Sequence, residues 1–188
     1  MRRALPVLAL ALLLVPVAVT ACSGGGDEPA ATYEPPAERA RDGERVVRGK
    51  TARSSDLEFT VLGYQDGIRE ILGTHAGMKP KGRYVRIRLL TVNRGRDIQV
   101  FDTWKQLLVT TGLATTGATS GERTHVPDVN ATMVKRQPER LSVGAAMRAE
   151  FDLWYDLPDE AKVRALRLVG WPKVGAVSDP PPAEIKLP

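Results

Sequence analysis

Lys81-Gly82-Arg83-Tyr84-Val85-Arg86-Ile87-Arg88-Leu89-Leu90-Thr91-Val92-Asn93-Arg94-Gly95 is the stretch on which the fold turns. From Tyr84 it alternates with period two. Val85, Ile87, Leu89 and Thr91 share one face, and Tyr84, Arg86, Arg88 and Leu90 share the other. Successive side chains of an extended chain point to opposite sides, so the pattern predicts a strand with one apolar face. Asn93-Arg94-Gly95 then supplies turn chemistry and ends it.

The same period recurs on both sides of this strand. Leu57, Phe59 and Val61 alternate with Glu58 and Thr60. From Ala146 to Leu157, Met147, Ala149, Phe151, Leu153 and Tyr155 are expected to face inward, and Arg148, Glu150, Asp152 and Trp154 outward. Gln99 to Phe101 and Gln106 to Thr110 read as shorter strands. Leu157-Pro158-Asp159-Glu160 turns the chain, and Val163 to Val169 returns as a strand. Ile185 and Leu187 suggest a last one after Pro180-Pro181-Pro182. Between Pro127 and Pro138 there is room for only a turn or two of helix. The fold class is therefore all-β: one immunoglobulin-like sandwich of about seven or eight strands over residues 45–188.

The N-terminus predicts an address. Met1-Arg2-Arg3 is a short basic start, and Ala4 to Val19 is apolar and free of charge. That run is short for a bilayer span of roughly 20 residues and matches the apolar region of an export signal. Val19-Thr20-Ala21-Cys22 follows, a small residue directly before a cysteine, and resembles the bacterial lipobox. The resemblance implies a signal peptide over residues 1–21, cleavage before Cys22, and diacylation of the Cys22 sulfur. The chain is then expected to be a lipoprotein on the outer face of the bacterial cytoplasmic membrane, because two or more acyl chains anchor stably. Residues 22–44 are rich in Gly, Pro, Ala and Glu, with almost no large apolar side chain. They read as a disordered tether.

Composition narrows the function. Cys22 is the only cysteine, so the mature domain has no disulfide and no cysteine nucleophile. Loss of Arg2 and Arg3 with the signal leaves 25 basic and 22 acidic side chains. A charge of +3 is too mild to predict a nucleic-acid partner. Arginines (19) far outnumber lysines (8), a usage that resembles high-GC Gram-positive bacteria.

Lys81-Gly82-Arg83-Tyr84-Val85 with the apolar alternation to Asn93-Arg94-Gly95 resembles a domain of unknown function found in secreted Gram-positive lipoproteins. Members share an immunoglobulin-like sandwich, the fold also of the mycobacterial immunoprotective extracellular antigen. Leu141-Ser142-Val143-Gly144 and Phe151-Asp152-Leu153-Trp154-Tyr155-Asp156-Leu157-Pro158 fit the same pattern. Val143 departs from it, since the family has Pro there. The resemblance implies a fold and an address, with no catalytic residues to carry over.

No Gly-x-Ser-x-Gly, His-Glu-x-x-His, phosphate loop or Cys-x-x-Cys is present. A non-enzymatic binding or accessory domain without a cofactor is the leading expectation, with a protein or cell-wall partner. A small-ligand or metal carrier is the alternative. Its metal form would be copper on His75, Met78, His125 and Met133, because imidazole and thioether suit Cu(I). Against that stands a plain role as packing methionines and surface histidines. Arg86 and Arg88 share the outward face of the central strand, within a wider set that includes Arg83, Arg94 and Arg96. They read either as an anion-binding stripe or as cross-strand partners of Glu150 and Asp152. The Thr- and Gly-rich loop from Thr110 to Asp128, with Thr115, Thr116, Ser120 and Arg123, is a candidate partner-binding loop. Outward-facing Trp154 either packs under a loop or marks a binding patch.

Overall fold

The computed structural model describes residues 40–47, 50–73, 77–112 and 121–188. The expected signal peptide, Cys22 and most of the expected tether lie outside the described residues.

Three long strands form the first sheet. They are β3 (Leu57–Ile68), β6 (Arg83–Asn93) and β11 (Arg148–Leu157), with β6 in the middle and all pairs antiparallel. Two short strands, β1 (Arg45–Val46) and β2 (Thr51–Ser54), pair with the outer edge of β3. The second sheet has the order β13 (Ala183–Lys186), β12 (Lys162–Leu168), β8 (Leu107–Thr111), β9 (Arg123–His125). Two pairs complete the set: β7 (Gln99–Asp102) with β10 (Arg140–Val143), and β4 (Ile71–Leu72) with β5 (Gly77–Met78). The only α-helix among the described residues is α1 (Val129–Val134), capped by the Asp128 side chain, which accepts from Ala131 N.

The fold is an all-β sandwich of antiparallel sheets. In one sheet β6 lies between β3 and β11, and in the other β12 lies between β8 and β13. Its core fills the space between them. Leu57, Phe59 and Val61, then Val85, Ile87 and Leu89, then Phe151, Leu153, Tyr155 and Leu157 come from the first sheet. Leu108, Leu166, Leu168 and Ile185 meet them from the second, and Phe101 stacks on Phe151 at 4.3 Å between ring centroids. Gln106 is fully buried yet satisfied: Nε2 donates to the Asp102 and Val169 carbonyls, and Oε1 accepts from Val169 N. Its own carbonyl accepts from Tyr155 Oη, which ties the two sheets together.

The expected alternation holds along β6 and β11, with one correction. Met147 was expected inside and is 61% exposed. It precedes the strand, in a turn where Met147 N donates to Gly144 O and Ala146 adopts φ +58°. The strand begins at Arg148, where the ladder with Val92 begins. The short strands β1, β2, β4, β5, β9 and β10 were not anticipated. All are two to four residues long, too short to show a period.

Candidate functional site

The outer face of β6 and β11 is the chemically unusual part of the domain. A face with two arginines in mid-strand is ordinarily solvated, yet this one is covered. The Arg88 side chain is 3% exposed and Arg86 13%. The cover has two parts.

The first part is the segment that enters β1. Arg41 and Glu44 close a turn on each other: Glu44 N donates to Arg41 O, and Arg41 N donates to Glu44 Oε2. Gly43, at φ +75°, permits the left-handed backbone this turn needs. The turn drives the Glu44 carboxylate onto the sheet, where it is fully buried. Arg88 Nε donates to Glu44 Oε1 at 3.1 Å, and Arg88 Nη2 lies 3.0 Å from Oε2. This two-pronged geometry matches the planar guanidinium to the carboxylate. Glu150 adds a contact to Arg88 Nη1 at 3.3 Å. Arg41 closes the rim by reaching Glu150 at 2.8 Å and Asp152 at 2.9 Å. Burial opposes the Arg88 charge, but Glu44 and Glu150 outweigh it and raise its pKa. Residues 41–44, expected in the tether, are therefore part of the folded domain. Composition alone could not show this, because what holds the segment is the burial of the Glu44 carboxylate and ion pairs from Glu44 and Arg41 rather than apolar area.

The second part covers Trp154. It packs edge-on against Tyr84, with Ile71, Ala131, Ile68, Met78 and Val134 around it, and is 4% exposed. The cations of Arg86 and Lys135 lie 5.7 and 5.8 Å from its ring centroid. Of the two expectations for Trp154, packing beneath a loop describes it. Tyr84, beside it, has its pKa pushed up to about 12, first by burial and then by Asp128 and Asp156.

A second ionic knot sits at the end of the sandwich where β6 starts. Arg83 Nε donates to Asp66 Oδ1 at 2.6 Å, and its other nitrogens donate to the carbonyls of Pro158, Asp159 and Ala161. One guanidinium thus holds the whole turn between β11 and β12. Burial disfavours the Asp66 carboxylate, but hydrogen bonds from Arg83 and Tyr64 outweigh it and lower its pKa. Gly82 is needed beside this turn, since a Cβ there would collide with the Leu157 carbonyl.

The expected site residues fall in different places. Arg86 and Arg88 lie together on the covered face, where Arg88 meets Glu150, and Asp152 is taken by Arg41. Met78 packs against the Trp154 cluster, Met133 on α1 is 63% exposed, and His125 Nε2 lies 2.9 Å from Thr110 Oγ1. Desolvation, then the Arg123 charge, lowers the His125 pKa. Among the described residues, no three His, Cys, Asp or Glu side chains are placed to hold a metal ion. His75, Thr115, Thr116 and Ser120 lie outside the described residues. Arg123 starts β9 and is exposed. An open groove of about 690 Å³ lies between Lys105, Leu107, Val169 and the Ser178–Pro182 segment.

No family model matches the chain, and no curated protein matches it. Among solved structures it is similar to the yjhA protein from Bacillus subtilis, at 14% identity and a TM-score of 0.41. The match covers 66% of this chain and 81% of that one.

Proposed function

We propose that the chain is a lipid-anchored extracytoplasmic lipoprotein whose sandwich serves as a non-enzymatic binding or accessory domain at the cell surface. The observation that carries this reading is Val19-Thr20-Ala21-Cys22 at the end of a charge-free apolar run. The fold supports the second half of it. The buried Arg88–Glu44 pair and the Arg83–Asp66 pair are engaged in joining segments of the domain to one another. The elements left to meet a partner are the loops at the two ends of the sandwich.

Cys22→Ala removes the acceptor sulfur. The wild-type chain should take up a labelled fatty acid and sediment with membranes, and the variant should do neither and appear in the medium. A variant that still fractionates with the membrane would contradict the anchor.

A further inference from the structure

The second sheet ends at one margin in β9, a strand of three residues paired with β8. Arg123 and Thr124 are exposed there, and His125 is half-buried. His125 stands opposite Leu108, and cross-strand partners share a face. Its imidazole therefore lies on the inner side of the sheet, beside Leu108 and Thr110, both fully buried. Nε2 is 2.9 Å from Thr110 Oγ1, so this side chain fastens β9 to the body of the sandwich. The other fastenings nearby are weaker or farther along. Glu122, just before β9, meets Arg167 at 2.9 Å in a pair open to solvent, and such pairs contribute little. After β9 the chain is next held at Asp128, whose N donates to Trp154 O.

The surroundings suit a neutral ring. β8 and residues 112–121 carry no charge. On β12, Lys162 and Arg164 flank Val163, the partner of Thr110. From the facing sheet come Phe151, Leu153, Tyr155 and Leu157, and the Tyr155 hydroxyl is bound to Gln106 O. Of the carboxylates, Glu122 is taken by Arg167, Asp128 accepts from Ala131 N, and Glu160 is exposed in the turn before β12. We propose that His125 is an acid-sensitive latch, whose protonation frees β9 from β8 and leaves β8 as the edge of its sheet. Burial first, and then Arg123, opposes an imidazolium in this place. Opening β9 hydrates the ring and relieves both. A histidine with a lowered folded-state pKa contributes stability that is fully present above its unfolded value, about 6.5. That stability is lost as pH falls through the folded value. The latch thus holds at neutral pH and loosens in acid, whether or not the chain is lipid-anchored.

The test uses the chain with His75→Gln, which leaves His125 as its one histidine. Native-state hydrogen exchange at pH 7.5 and pH 5, corrected for intrinsic exchange, reads opening of the β8–β9 ladder, with the β3–β6 ladder as control. The β9 opening constant should rise about tenfold on acidification, while the control ladder stays nearly level. Adding His125→Gln keeps a hydrogen-bonding side chain that does not titrate, and should make β9 opening level as well. A rise that persists in that variant overturns the latch, and so does a parent whose β9 opening is level. If the variant frays at both pH values, NMR titration of the ring in the parent decides. A ring that titrates at or above about 6.5 overturns the latch, and one that titrates below it, together with the rise, upholds it.

Discussion

The two faces of β6 and β11 are both buried, by opposite means. The inner face presents Val85, Ile87, Leu89, Phe151 and Leu153 to the second sheet. Its burial is non-directional and scales with apolar area. The outer face presents Arg86, Arg88 and Trp154, which are dry only because Glu44, α1 and the β4–β5 pair cover them, with Glu150 at the wetter rim. Burial of charge is costly unless the partners are paired and hydrogen-bonded. One strand pair thus joins a surface tolerant of many apolar residues to one that requires particular partners. The inner face makes the sandwich, and the outer face decides where the domain begins.

The largest expected effect tests the inner face. Leu153 is fully buried in the main core. Leu153→Ala should cost about 4 kcal/mol in urea unfolding, within the range for buried leucines. A loss below about 1 kcal/mol would mean that the core collapses around the gap, and that the two faces differ less than argued. Next comes the outer face. Glu44→Ala should cost about 3 kcal/mol, because it takes the fully buried, two-pronged carboxylate partner away from a buried guanidinium.

The smallest effect is a pH dependence confined to the ionic side. Asp66 has a lowered pKa in the folded protein, with Arg83 and Tyr64 holding the carboxylate against the opposing effect of burial. A depressed carboxylate contributes stability that is fully present above its unfolded pKa, about 3.9, and is lost as pH falls through the folded value. Asp66→Asn should therefore lower stability at pH 7 and flatten the loss of stability below about pH 4. Equal slopes for wild type and variant would remove Asp66 from the account.

The contrast also explains what was legible in the sequence. The inner face was, because period two over ten residues is a strong signal and the core needs only apolar type. Leu153 and Ile87 could be placed inside from that pattern alone. Trp154 could be placed outside the main core, but its cover could not be identified. That cover is β4, β5 and α1, pieces of two to six residues, too short to carry a period, that pack around Trp154. Glu44 was the least legible. It sits in a stretch of tether-like composition, and only its pairing with Arg88, 44 positions away, brings it into the domain. Met147 was misplaced because the turn at Ala146 breaks the period one residue before the strand starts.

A double-mutant cycle on Glu44→Ala and Arg88→Ala, read by urea unfolding, bears most directly on the claim that this ion pair closes the outer face. Residues in direct contact inside one network show coupling of about 0.5–3 kcal/mol. The account predicts about 2 kcal/mol here, with the double variant much less destabilised than the sum of the singles. Additivity within about 0.5 kcal/mol would contradict it, and would return residues 41–44 to the tether.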